Sequence, residues 1–265
     1  MSSDKFFFNS RSSPVPAGTG TNEVIVNLPA DPRYSKLPLN FRQILSNFWI
    51  APFTLDGHRW ASVEHYYHAQ KFMTTHPQWA INTFSLDGKE NIDPSKLAKG
   101  DPRLYAFSPV LSKSMGGKDK SHKHRPAEFV ADPMFFSPAS AGIPGHPTWT
   151  RQDVAFFKGM CAKFSQHEDL KEVLENTGNA QLWHVMRIKR EKWPRFWYLE
   201  SIRSLHRQGM SCLMPALNNE PIVIEDDSSN HDEAIMNMNA TTNATGNDAN
   251  VDAEDQDDSV PEYHN

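Results

Sequence analysis

The distribution of charge divides this chain before any element is assigned. No Lys or Arg follows Arg207, while thirteen Asp and Glu fall between Ala216 and the C-terminus. That last stretch is rich in Asn, Asp, Ser and Thr and poor in aromatics. Such a segment buries too little apolar surface to offset its ordering entropy. Residues 213–265 are therefore expected to form an acidic disordered tail, and residues 1–20 a flexible N-terminus. The fold must come from residues 21–212, which suffice for a single domain. The residues before Ala216 hold nineteen acids against 27 Lys and Arg, a net charge of +8. A basic body suits an anionic partner such as a phosphate or nucleic acid; spread evenly, the same charge would serve only solubility.

Cys161 and Cys212 show neither metal-ligand spacing nor a disulfide framework, so no metal and no cofactor is expected. The apolar run in MSSDKFFFNSRSSPVP is too short for a signal peptide, and no stretch approaches the roughly 18 apolar residues of a membrane span. The expectation is a soluble intracellular protein of the cytoplasm or nucleus, with no membrane partner. Asn239 and Asn243 lie in N-x-T triplets that should then stay unmodified. Nothing in the composition sets an oligomeric state.

Periodicity predicts a mainly α domain with a few short β-strands, an α+β class. EVIVNL (23–28) has the β-branched character of a strand, and PFTLDGHRW (52–60) that of a hairpin turning at Asp56-Gly57. Ser62 offers an N-cap to the following helix. Many prolines mark 76–148 as irregular, with MGGKDKSHKHR (115–125) as an exposed basic loop. Apolar spacings of three and four predict helices over 151–166, 167–178 and 196–209, the last two stopped at Gly178 and Gly209.

The stretch SVEHYYHAQKF (62–72) crowds ionisable and aromatic groups into one helix. At about 100° per residue Glu64 and Lys71 fall about 20° short of two full turns apart, with His68 about 40° past Glu64. The three share a face, which is either a solvated surface or a site. Asn47 and Phe48 from SNFWIAPF, with Trp60, could supply an amide and a stacking surface near the same helix. Plain core packing is the competing reading for Phe48 and Trp60.

The order SNF, G-x-x-W, EHYYHAQKF resembles the YbiA-like proteins, the NADAR family. LSKSMGG (111–117) is similar to that family's Ala-Lys-x-x-Gly segment, with Lys113 at the lysine. Trp149 precedes a helix ending in Lys163-Phe164, as in the family. LKEVLENTGNAQLWH (170–184) and LESIR (199–203) resemble its later motifs, so the likeness spans about residues 41 to 207. It implies a YbiA-like single domain and an N-glycosidase that cleaves a ribose C1–N bond. The substrate would be ADP-ribosylated guanine in nucleic acid or, alternatively, a phosphorylated riboflavin-pathway intermediate. A non-catalytic module binding ADP-ribose or nucleic acid is the reading from another class.

Carried onto this chain, the resemblance gives Glu64 the task of stabilising the sugar's positive charge or activating water. Lys71 is the alternative, a nucleophile that would form a Schiff base with the opened sugar. Trp149 would stack on the base or wall the site. Asn47, Lys113 and Arg203 would contact hydroxyls or phosphates, with helix-surface pairing the competing reading for Arg203 and Lys163. Two departures stand out. His184 replaces the family's glutamate, and LWHVMRIKREKWPRFW lacks its Trp-Gly-x-Gly loop, adding Arg187, Lys189, Arg190, Lys192 and Arg195 instead. A long segment also separates FFF (6–8) from SNF.

Overall fold

Seven α-helices and four short strands make up the regular structure of the described residues, which in the computed structural model are 3–27, 29–117, 125–137, 149–186 and 193–210. In chain order these are β1 (Lys5–Phe8), α1 (Phe41–Ile44), β2 (Phe53–Leu55), β3 (His58–Trp60), α2 (Val63–Gln70), α3 (Pro77–Phe84), α4 (Pro109–Met115), α5 (Arg151–Gln166), α6 (Glu168–Asn176), β4 (Gln181–His184) and α7 (Trp197–Arg207). The class is mainly α with a few short strands, as the periodicity predicts. The acidic tail with Cys212, Asn239 and Asn243, most of the basic loop, and Arg187, Lys189, Arg190 and Lys192 lie outside the described residues.

Helix α5 is the hub, packing against α2, α6 and α7. It starts cleanly because Thr150 and Asp153 form a capping box, the Thr150 hydroxyl taking the Asp153 amide and the Asp153 carboxylate the Thr150 amide. Phe157, Cys161 and Phe164 supply its buried stripe. Midway, Gly159 lets α2 come close. A Cβ there would lie 3.1 Å from both Tyr66 Cδ1 and Val63 Cγ1. Glycine in a helix interior costs about 1 kcal/mol against alanine, so the close approach is what this residue secures.

The hairpin β2–β3 forms with Phe53 opposite Trp60, and Asp56 and Gly57 take the positive φ values (51° and 79°) that a type I′ turn needs. Helices α6 and α7 are followed, as expected, by Gly178 and Gly209 at φ 61° and 65°. A recurring Asp-Pro pair shapes four short turns, one before α1 and three in the irregular region. Asp31, Asp93, Asp101 and Asp132 each precede a proline and accept the backbone amide two residues on, starting a single 3₁₀ turn.

Three expectations need correction. Residues 23–27 form no strand; only Val24 bridges to Lys5, and the Asp4 carboxylate takes the amides of Val26 and Asn27, which ends the ladder. The N-terminus is no flexible lead. Strand β1 pairs in parallel with β4, Phe6 and Phe8 are fully buried, and buried Arg42 binds Glu23 and the carbonyls of Val15 and Pro16. The exposed basic loop does not begin at Met115, because Met115 and Gly116 are buried against the rest of the domain.

Candidate active site

Helix α2 is buried on nearly every side. Val63 through Ala69 are all buried, and Glu64, His68 and Lys71 are each 5% exposed or less. The solvated-face reading of this helix is therefore ruled out. Ser62 stands at the N-cap position but does not cap, since its hydroxyl pairs with His65 Nδ1 at 2.7 Å. The start of the helix is instead fixed by the Asn47 carbonyl, which accepts the Glu64 amide at 3.1 Å. The end is fixed by Asp132, whose amide donates to the Lys71 carbonyl at 2.8 Å while Arg151 and Thr74 hold the Asp132 carboxylate. Lys71 itself is the C-cap residue, still in right-handed helical conformation.

Within this frame Glu64 Oε1 and His68 Nε2 are 3.0 Å apart. Burial works against the carboxylate's charge, but the His68 hydrogen bond and the positive charges of Lys113 and Lys71 outweigh it, holding Glu64 below its usual range. Burial and the Lys71 charge push His68 down to about 4, against the pull of Glu64. The pair at neutral pH is thus an ionised carboxylate accepting an N–H from a neutral imidazole. Lys71 Nζ donates to the Gly116 carbonyl at 3.2 Å and stands 4.5 Å above the Tyr67 ring. Both contacts suit an ammonium.

Around this cluster the structure gathers several of the predicted residues. Asn47 is buried, and its Oδ1 has no hydrogen-bond partner among the described residues. Phe48 is half-buried, with the Lys113 ammonium 5.4 Å from its ring centre. His184, on β4, sits between Phe8 and Phe196 at ring distances of 5.4 and 5.6 Å. Burial lowers it to about 4; the Glu64 charge opposes that shift and the Lys113 charge adds to it, which ties His184 electrostatically to the α2 groups. Trp149 packs on Phe157, Trp197 and Tyr198, and a ring series continues from Tyr198 through Phe156 to Tyr67, which stacks on Phe156 at 4.1 Å.

Two predicted contacts are placed in the frame instead. Trp60 is wholly buried, its indole N–H donating to the Leu55 carbonyl across the hairpin. Arg203 is buried and donates to Thr177 Oγ1 and the Ala180 carbonyl, tying α7 to the turn before β4. Lys163, read as a surface residue, is fully buried. Its ammonium donates to the carbonyls of Ile44 (2.5 Å) and Ser46 (2.9 Å), just before Asn47. Sequence reasoning missed that support, because Lys163 lies about 100° round the helix from Phe164, off the stripe of Phe157, Cys161 and Phe164. Arg195 is also engaged within the chain, its guanidinium bound to Glu200.

Among the described residues no cluster of His, Cys, Asp and Glu stands ready to hold a metal, and no helix is long and apolar enough to cross a membrane. No protein-family model and no curated protein matches the chain. Among solved structures it is similar to the NMR structure of the E. coli protein YbiA, with a TM-score of 0.40 and 20% identity, over 63% of this chain and 80% of that one.

Proposed function

We propose that this protein is an N-glycoside hydrolase that cleaves the bond between ribose C1 and a base nitrogen, releasing ADP-ribose from ADP-ribosylated guanine in nucleic acid. The observation that carries the reading is the buried, ionised Glu64 with His68 bonded to it and Lys71 one turn further on. Breaking a ribosyl C–N bond builds positive charge on the sugar. A preorganised carboxylate in a water-poor setting stabilises that charge without reorganising. His68 holds the carboxylate in place through its N–H. Asn47 Oδ1, a buried acceptor, suits a sugar hydroxyl, and Phe48 with Lys113 suits a base and a phosphate. The motif order described above supports the same chemistry, and the basic body favours a polyanionic substrate.

Glu64 is the group assigned to the sugar. Lys71 would have to lose its proton to attack C1, and its carbonyl and ring contacts favour the charged amine. Incubation with DNA bearing ADP-ribosylated guanine should release free ADP-ribose, and Glu64→Gln should slow release about 10²-fold or more. No release by wild type, or equal release by the variant, defeats the assignment. Ribose 5-phosphate from phosphorylated riboflavin intermediates, with none from ADP-ribosyl DNA, would move the substrate class. Tight binding without turnover would select the binding module. A borohydride-trapped adduct lost in Lys71→Ala would transfer the covalent role to that lysine.

A further inference from the structure

We propose that Gly116 is a positioning residue for the α2 cluster, setting His68 and Lys71 at once; this rests on the glycosidase reading for its catalytic consequence, though not for its geometry. Gly116 ends α4 at φ −85° and ψ 3°, a conformation open to any residue. Backbone freedom is therefore not why glycine stands there. Contact is. A Cβ on Gly116 would lie 2.2 Å from His68 Nδ1, 2.5 Å from Cγ and 2.6 Å from Cβ. These atoms form the root of the imidazole rather than the end of a flexible chain, so the ring cannot yield without turning or without α2 and α4 separating.

Either response breaks the cluster. Turning the ring takes Nε2 away from Glu64 Oε1, now at 3.0 Å. Separating the helices takes the Gly116 carbonyl away from Lys71 Nζ, now at 3.2 Å. The turn itself is held from behind. Arg125 Nη1 donates to the carbonyls on both sides, Met115 at 2.9 Å and Gly117 at 2.6 Å, and the Gly116 amide donates to Ser112 at 2.8 Å. Three successive carbonyls are thus bound by two cations, Arg125 and Lys71. The turn is a fixed stop against which His68 rests, not a loop that drifts to make room.

The neighbouring glycine supplies a control. Among the described residues, a Cβ on Gly117 would meet the Ser114 carbonyl at 3.3 Å and the Lys113 carbonyl at 3.6 Å. Gly117→Ala should therefore be near wild type while Gly116→Ala is not.

The test uses the full chain with ¹⁵N-labelled histidine. In wild type the His68 ring should be neutral with its proton on Nε2, giving a protected, slowly exchanging N–H. Gly116→Ala should erase that signature, and it should lower kcat about 10²-fold with KM changed less than about twofold, as a displacement of about an ångström warrants. The thermal penalty of Gly116→Ala should also shrink in a His68→Ala background, because the two shortest contacts are gone. If Gly116→Ala does not fold, Arg125→Gln loosens the same turn without adding an atom and should speed exchange of the His68 N–H. An unchanged imidazole spectrum in Gly116→Ala, or an effect no larger than that of Gly117→Ala, overturns the proposal. Should wild type release no ribosyl product, the glycosidase reading falls while the imidazole spectrum still decides what Gly116 does.

Discussion

Glu64, His68 and Lys71 sit where helical spacing puts them, but spacing could not tell a wet face from a buried one. What buries them is α4, α5 and the loop at Asn47, all distant in sequence. The burial has a measurable consequence. His65 and His68 are depressed to about 3 and about 4 by desolvation, and half-buried His184 to about 4. The unfolded chain protonates these rings near the ordinary 6.5, so between that value and about 4 it binds protons that the folded state refuses. Stability then falls as pH falls, by about 1.4 kcal/mol per pH unit for each fully buried ring. Denaturant midpoints measured from pH 7 to 4 should drop steeply below about pH 6, and His65→Phe should flatten the slope.

Lys163 works at the other end of the scale. Burial holds it at about 7 against an ordinary 10.5. Between those values the unfolded state keeps a proton that the folded state has shed, so this lysine's penalty is full below about pH 7 and fades as pH rises. Lys163→Met removes the penalty and leaves the Ile44 and Ser46 carbonyls unpaired. Its melting temperature relative to wild type should therefore fall steadily from pH 7 to 9.5. A pH-independent difference would show that Lys163 stays charged in the fold.

Among the elements, those with local signals were legible. The α5 span follows from the spacing of Phe157, Cys161 and Phe164, and the hairpin from Asp56-Gly57. EVIVNL misled because β-branched character describes a surface that fits a sheet, not a partner to pair with. Its two valines are each 39% exposed and find only one bridge. Gly159, inside α5, is where that helix meets α2. Gly159→Ala gains helix propensity but sets a methyl 3.1 Å from Tyr66, which cannot retreat because its hydroxyl binds Asp56 and its ring packs on Trp60. The melting temperature should fall despite the propensity gain, and on the glycosidase reading release of ADP-ribose should fall with it, since Val63 and Tyr66 share α2 with Glu64.

For the molecule as a whole, what the sequence concealed was the pairing of its first strand with its last. No local pattern announces that Phe6 lies beside Leu182 or Phe8 beside His184. Deleting residues 1–9 should therefore unfold the domain or lower its melting temperature sharply, checked by circular dichroism, rather than trim a dispensable lead. His184 would lose its Phe8 ring contact, so on the glycosidase reading any surviving fold should also bind substrate more weakly.

That pairing sets a timetable for synthesis. The ribosome delivers β1 first, but its partner β4 emerges only after nearly all the folded chain has been made. At about 5–20 residues per second the early strand waits for many seconds with its apolar side chains uncovered. Helices α1 to α6 can gather locally in that interval, whereas His184 and the support beneath it arrive together at the end. A nascent chain stopped before Gln181 should carry the α2 helix without a finished site, and it should be the species that chaperones hold longest.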